Sequence, residues 1–317
     1  MIITNAQFLL MVLFCTATSR ACKHASSAPQ DCALLDIEAR GFTMHTRPHS
    51  PRVSVIIPTK DEAKNLEVLL PDMPGVHEVV LVDAGSQDGT VDVARSHLSN
   101  LQVINQTRTG KGNALVCGMH AATGDILVTL DADGSADPCE IPAFVDALVE
   151  GADFAKGSRY MTGGGSVDLT RLRSAGNWGL NVLSNLSLGT KFTDLCYGYN
   201  AFWKSIVPAL NLPDPDLPRP ANGGRIWGDG FEIETLITVR VAQAGLAVTE
   251  VPSFELNRIH GESNLRTFAD GQRVLRTIAT ETARNGRAKR TRLVAAPARH
   301  HLPTCRLRSR EWEHLHA

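Results

Sequence analysis

Asp125-Ile126-Leu127-Val128-Thr129-Leu130-Asp131-Ala132-Asp133 is a short apolar, β-rich run that stops at two carboxylates separated by one residue. On a strand, positions i and i+2 point to the same side, so Asp131 and Asp133 are expected to face one site unless a turn splays them. Two convergent carboxylates repel unless positive charge lies between them, and the usual occupant is a hard divalent cation with oxygen ligands. Such an ion at the C-terminal end of a strand, where α/β folds place their ligands, suits a nucleoside diphosphate. The competing reading is an acidic surface turn with no ligand, and the surrounding residues decide between them.

That run is the fourth in a series of strands alternating with helices. Val53-Ser54-Val55-Ile56-Ile57 reads as a buried strand stopped by Pro58, and Asp61 to Leu70 as a helix capped by Asp61 or Thr59. Glu78 to Val82 is a second strand ending at Asp83, Asp88 to Leu98 a helix, and Leu101 to Asn105 a third strand. Gly112 to Ala122 reads as the helix leading into the Ile126 to Leu130 strand. Helical spacing returns over Ile141 to Val149, before a strand at Asp153 to Lys156. The alternation predicts an α/β fold with a mainly parallel sheet flanked by helices.

Past Gly157 come a Gly-rich loop from Met161 to Asp168 and helices over Leu172 to Leu188 and Phe231 to Ala244. A strand at Ala247 to Val251 and an amphipathic helix over Leu265 to Thr282 follow. Residues 51–283 read as a single catalytic domain and residues 1–50 as a poorly ordered extension. Residues 284–317 read as a basic, disordered tail with some attraction for an anionic membrane surface.

With 32 Lys and Arg against 33 Asp and Glu, the net charge of −1 argues against a general nucleic-acid binder. The seven cysteines are scattered, odd in number and without C-x-x-C spacing, so they read as reduced, partly buried thiols. The apolar run Phe8 to Cys15 has no preceding Lys or Arg and is too short to span a bilayer. A cytoplasmic protein with at most peripheral membrane contact is the expectation, and the sequons at Asn105 and Asn185 then carry no glycan.

In a parallel sheet the strand C-termini share one edge, which brings three loops to the acidic pair. They are Pro58-Thr59-Lys60-Asp61-Glu62, the loop from Asp83 to Thr90, and Gly110-Lys111-Gly112-Asn113-Ala114 at a helix start. Asp83 suits hydrogen bonds from a base or ribose, and Lys111 suits phosphate oxygens. The spacing is not that of a P-loop, and no G-x-G-x-x-G follows the first strand. Asp137, followed by Pro138, reads as a helix cap.

These ordered segments resemble the family 2 glycosyltransferases, which have a GT-A fold. Further along, Gly157-Ser158-Arg159-Tyr160 and His260-Gly261-Glu262-Ser263-Asn264 are similar to the branch of dolichyl- and polyprenyl-phosphate mannosyl- and glucosyltransferases. The resemblance implies a UDP- or GDP-sugar donor, with Pro58, Thr59, Asp61, Glu62 and Asp83 lining the nucleoside pocket and Lys111 near it. It also implies that Asp131 and Asp133 hold Mg²⁺ or Mn²⁺ against the diphosphate, with His260 as a possible third ligand. Two positions depart from the pattern: Ala84 follows Asp83 where relatives often have a second acid, and Ser135 stands where the lipid-phosphate branch commonly has Gln.

The nucleophile decides whether a base is needed. An alcohol must lose a proton, whereas a phosphate monoester, with a second pKa of about 6, is already mostly anionic at neutral pH. Arg159, Arg171 and Arg173 flank the Gly-rich loop and are candidates to hold such a phosphate. For an alcohol acceptor Asp229 is the candidate base, with a helix cap as its alternative role; relatives with lipid-phosphate acceptors keep an acid like Glu234. Arg258 and Ser263 are expected to help hold a closing loop, and the glycines at 163–165 suggest a mobile lid. The leading expectation is an inverting, metal-dependent hexosyl transfer to polyprenyl phosphate. A soluble hydroxyl acceptor and, in another class, a sugar nucleotidyltransferase are the alternatives.

Overall fold

The computed structural model describes residues 47–167, 169–221, 224–261 and 267–285, apart from the side chains of Leu172, residues 267–270 and Asn285. All of them fall within one unit that begins at Arg47. Val53–Thr59 forms β1, and Val55, Ile56 and Ile57 are fully buried, as expected for a strand covered on both faces. The chain continues through α1 (Ala63–Leu69), β2 (Glu78–Asp83), α2 (Thr90–His97), β3 (Leu101–Asn105), α3 (Lys111–Ala121) and β4 (Ile126–Thr129). Next come α4 (Ile141–Val149), β5 (Phe154–Ser158), β6 (Gly165–Ser166), α5 (Arg171–Leu188) and β7 (Asn200–Trp203). The series ends with α6 (Ile233–Gln243), β8 (Val248–Pro252), β9 (Phe254–Glu255) and α7 (Thr267–Asn285).

Seven strands form one sheet in the order β3-β2-β1-β4-β7-β5-β8. The chain steps outward from β1 to β3 and then returns to place β4 on the other side of β1. The crevice at that reversal is where open α/β sheets bind ligands. Thr59 pairs with Asp83 across the β1–β2 ladder, while Thr129 at the end of β4 pairs with Ile56. The loop after β1 therefore overhangs the acidic turn after β4.

Parallel pairing in the seven-stranded sheet fails at one strand. β7 is antiparallel to both β4 and β5, and the sequence reading has no strand there. Four residues are too few to show a period of two, and burial rather than alternation places them in the sheet. Gly165 and Ser166, expected in a mobile loop, instead form β6 and pair with β9. Helix α1 begins at Ala63, not Asp61, because Asp61 has a left-handed φ of 55°. Neither Asp61 nor Thr59 caps it; the Ala63 N–H donates to Asp88 Oδ2 at 2.9 Å, from the loop after β2. Asp137 does cap the turn at Pro138–Glu140, accepting from the Cys139 N–H at 2.8 Å.

The folded unit also begins earlier than residue 51. Arg47 donates to the Ala152 carbonyl at 3.1 Å, pairs with Asp153 and stacks 4.9 Å from the Trp203 ring centroid. The remaining N-terminal extension and the basic tail beyond residue 285 lie outside the described residues. Cys117, Cys139 and Cys196 are free thiols. Among the described residues no helix is long and apolar enough to cross a membrane.

Glu140 ties α4 to the turn between β8 and β9, accepting from Ser253 Oγ at Oε2 and from the Phe254 N–H at 2.9 Å. Burial pushes its carboxyl up to about 7 against the lowering effect of these hydrogen bonds. A folded-state pKa above the unfolded value gives stability that is complete at low pH and lost as pH rises through 7. Between pH 5 and 8 the wild-type protein should lose on the order of 2 kcal/mol relative to Glu140→Gln. Urea denaturation at several pH values measures this, and parallel profiles for the two proteins would refute it.

Candidate active site

The loops after β1, β2 and β4, with the start of α3, enclose a cavity of about 990 Å³. Pro58, Thr59, Asp61, Glu62 and Asp83, expected around a nucleoside, all line it. The β1 and β2 loops clamp each other. Asp61 N–H donates to Ser86 Oγ at 2.9 Å and Gln87 N–H donates to Asp61 Oδ1 at 2.8 Å, an arrangement that holds Asp61 in its left-handed conformation. Asp83 accepts from the N–H groups of Gly85 and Ser86 and from Ser86 Oγ, at 2.6–3.0 Å. Its carboxylate organises its own loop.

Asp131 and Asp133 also line the cavity, but both lie beyond the end of β4, in the turn, so the same-side geometry of a strand does not govern them. Each has its own cation. Lys111 Nζ lies 2.7 Å from Asp131 Oδ1 and also pairs with Glu234. Burial alone would lower the Lys111 pKa, but Asp131 and Glu234 outweigh it and hold the ammonium protonated. Burial and Asp131 together push Glu234 up, with Lys111 opposing. Asp133 lies 3.4 Å from Arg258, which also pairs with Glu62, and it accepts from the N–H and Oγ of Ser135 at 3.0 and 2.7 Å. Four carboxylates thus share two cations in this cluster, leaving it an excess of negative charge.

His260 does not join them. Its side chain is exposed and outside the cavity lining, while its N–H donates to Asn65 Oδ1 at 2.8 Å and its carbonyl accepts from Arg258 Nε at 2.7 Å. Its contribution is through the backbone, and among the described residues no three His, Cys, Asp or Glu side chains converge as a metal cluster. Ser263 lies outside the described residues. Two carboxylates with a turn hydroxyl still suit a magnesium-like ion, which is commonly held by one or two acids plus substrate phosphates.

The glycines around Lys111 have a packing role. Gly110 has a φ of 132°, and a Cβ there or at Gly112 would overlap the backbone of Gly228 and Asp229. The Asp229 carbonyl accepts from the Asn113 N–H at 3.2 Å, in the first turn of α3. Its side chain, 2% exposed in the ion pair, meets Arg108 through two hydrogen bonds of 2.8 and 2.9 Å. Asp229 is outside the cavity lining and caps no helix, so the expected base is instead the partner of a guanidinium. Arg108 also donates to the carbonyls of Asp214, Pro215 and Leu217, fastening the segment that brings Arg219 to the cavity. The sequence reading missed Arg108 and Arg219, since nothing in their local pattern marks a long-range partner.

Arg159 lines the cavity with Glu234. Its guanidinium binds Asp194 at 2.7 and 3.0 Å and Glu255 at 2.9 Å, and lies 4.8 Å from the Tyr197 ring centroid. Burial alone would lower its pKa, but Asp194 and Glu255 raise it, so the charge is permanent and already paired. Asp194 and Tyr197 belong to Asp194-Leu195-Cys196-Tyr197-Gly198-Tyr199, a missed segment whose acid, glycine and two tyrosines ahead of β7 were the available signal. Beside Arg159 opens a second, mainly apolar cavity of about 210 Å³. Arg173 lines it, together with Arg273 from α7, whereas Arg171 is exposed at the start of α5 and lines neither cavity.

Residues 54–210 match the profile described as Glycosyl transferase family 2. The chain is 30% identical over 252 residues to an undecaprenyl-phosphate mannosyltransferase from Micrococcus luteus, covering 76% of this chain and 99% of that protein. It is 31% identical over 226 residues to a polyprenol monophosphomannose synthase from Mycolicibacterium smegmatis, covering 68% and 81%. Glucosyl-3-phosphoglycerate synthase from Mycobacterium tuberculosis, solved with Mn²⁺, UDP and glucosyl-3-phosphoglycerate, shares the fold at a TM-score of 0.54 and 23% identity, over 75% of this chain and 81% of that one. The sheet and crevice are those of a GT-A fold, and the family match makes the protein a glycosyltransferase. The chain belongs to glycosyltransferase family 2.

Replacing Arg108 with Met would leave the Asp229 carboxylate buried without its partner, at a cost of about 3–5 kcal/mol. The Arg108→Met/Asp229→Asn pair should recover much of that loss in chemical denaturation. A single variant as stable as the wild type would contradict this assignment.

Proposed function

We propose that the protein transfers a mannosyl residue from a nucleoside-diphosphate sugar to a polyprenyl-phosphate-type acceptor, with inversion at the anomeric carbon. The observation that carries this reading is that a large mixed cavity and a small, mainly apolar one share one wall. Arg159, Cys196, Phe231, Glu234 and Glu255 line both. The larger cavity, with its loops from the strand ends and its charged floor, suits a sugar nucleotide. The smaller is lined by Leu169, Leu180, Phe231 and Val274, with Glu232, Arg173 and Arg273 among its charged groups, and its apolar wall suits an apolar acceptor chain. The Micrococcus mannosyltransferase and the Mycolicibacterium synthase support both the mannosyl group and the lipid phosphate.

A phosphate acceptor fits the fate of Asp229. That carboxylate is committed to Arg108, and an anionic phosphate needs no base at neutral pH. Arg173 and Arg273 would position the acceptor phosphate so that its oxygen approaches the sugar from the side opposite the leaving diphosphate. Arg159, neutralised by Asp194 and Glu255, would shape the shared wall rather than supply net charge. Asp131 and Asp133 would hold Mg²⁺ or Mn²⁺, which when bound supplies charge neutralisation at the departing diphosphate. Lys111 adds a fixed positive charge at the same turn, and Asp83, Asp61 and Glu62 would bind the nucleoside. Solved structures that share the fold contain Mn²⁺ or Mg²⁺ together with UDP, which supports the metal.

The purified protein is to be incubated with GDP-mannose or UDP-glucose, with Mg²⁺ or Mn²⁺, in the presence and absence of polyprenyl phosphate. Release of nucleoside diphosphate from the mannose donor should depend on both metal and lipid phosphate. Asp131→Ala and Asp133→Ala should each lower the rate about a hundredfold or more. Undiminished transfer by either variant would sink the role of the acidic turn, and pyrophosphate release would point to nucleotidyl transfer instead.

A further inference from the structure

The strand order lays the larger cavity out along the edge of the sheet. Asn105 ends β3, Asp83 ends β2, the β1 loop comes next, Asp131 and Asp133 leave β4, Tyr197 precedes β7 and Arg159 follows β5. With a nucleoside at the Asp83 end and a diphosphate at the acidic turn, the group beyond the diphosphate lies against Arg159 and Glu255, where the two cavities meet. That wall has no surplus positive charge. Arg159 is shared between Asp194 and Glu255, and the neighbouring Glu234 is paired with Lys111, which also serves Asp131. Such a wall offers hydrogen-bond acceptors rather than attraction for an anion. The part of a sugar nucleotide that suits it is the neutral, hydroxyl-bearing hexose.

One of these acceptors is half used. Glu255 Oε2 accepts from Arg159 Nη1 at 2.9 Å and from Ser166 Oγ at 2.6 Å, while among the described residues Oε1 has no partner. The side chain is 17% exposed in the ion pair and lines both cavities. Its backbone is fixed on two sides. The Val167 N–H donates to the Glu255 carbonyl at 3.0 Å, and the Leu256 N–H donates to the Ser135 carbonyl at 2.8 Å, two residues beyond Asp133. A carboxylate held through one oxygen by a guanidinium and a hydroxyl has its other oxygen oriented before a substrate arrives. We infer that Glu255 is a specificity-determining residue whose Oε1 accepts a hydrogen bond from one hydroxyl of the transferred hexose. Arg159 and Ser166 are the positioning residues that aim it. The inference rests on a sugar-nucleotide donor, and it names the group on the shared wall that tells one hexose from another.

The test is calorimetric binding to the full-length protein, with Mg²⁺ and no acceptor. The wild type is titrated with GDP-mannose and with UDP-glucose. The sugar nucleotide it binds, the parent nucleoside diphosphate and the monodeoxy sugar analogues are then compared in Glu255→Met, which removes both oxygens and leaves Arg159 paired with Asp194. The dissociation constant of the sugar nucleotide should rise about tenfold or more, and that of the nucleoside diphosphate should stay within about twofold. One monodeoxy analogue, lacking the hydroxyl that Glu255 reads, should bind wild type and variant alike. Glu255→Gln, which keeps an oxygen for Arg159, should lose its penalty at the same analogue. Equal weakening of sugar nucleotide and nucleoside diphosphate overturns the inference, since Glu255 would then serve the wall alone. So does a penalty that none of the analogues cancels. Wild-type protein that binds neither sugar nucleotide would remove the donor reading itself, and the inference would fall with it.

Discussion

Lys111 between Asp131 and Glu234 is the contact on which the rest of the site depends. It joins the first turn of α3, the turn after β4 and the start of α6, three places far apart in the chain. A buried ammonium with a single partner would be costly, and a carboxylate pair without it would repel. Together they form a charged cluster whose geometry is fixed before any substrate enters, and whose remaining negative charge is shared with Asp133, Glu62 and Arg258. Such a floor does not favour a diphosphate unaided. It favours one that arrives with a cation.

Two buried guanidinium pairs do comparable work on either side. Arg108 with Asp229 fastens the segment before α6 over the start of α3, where Gly110 and Gly112 let the backbones meet. Arg159 with Asp194 and Glu255 joins β5, the segment before β7 and β9 at the wall between the two cavities. Replacing such pairs with apolar residues is often harmless to stability, so their use here is better understood as alignment. Beneath them Lys156, whose pKa burial pushes down, donates to the Tyr197 carbonyl at 2.9 Å and holds the same wall from below.

Much of the fold was legible because its signals are local. Runs such as Val79 to Val82 are fully buried on both faces and read as strands from composition alone, and the loops that follow them carry the acids, glycines and lysine of the larger cavity. The elements that escaped notice have non-local causes. β7 is four residues long and takes its place from burial between β4 and β5. Asp88 caps a helix that precedes it by a whole loop and strand. Asp229 looked like a base because its neighbours are acids and glycines, yet the residue that decides its role, Arg108, is distant in sequence.

The sequence by itself determined the α/β alternation, the family resemblance and the set of strand-end residues around the larger cavity, since side-chain period and strand-end chemistry are encoded within a few residues. Tertiary structure alone decided how the charges are shared. It gave Lys111 to Asp131, Arg258 to Asp133 and Arg108 to Asp229, and it left the ring of His260 outside the site. The physical reason is that an ion pair depends on separation and burial. Both are set only when distant segments meet.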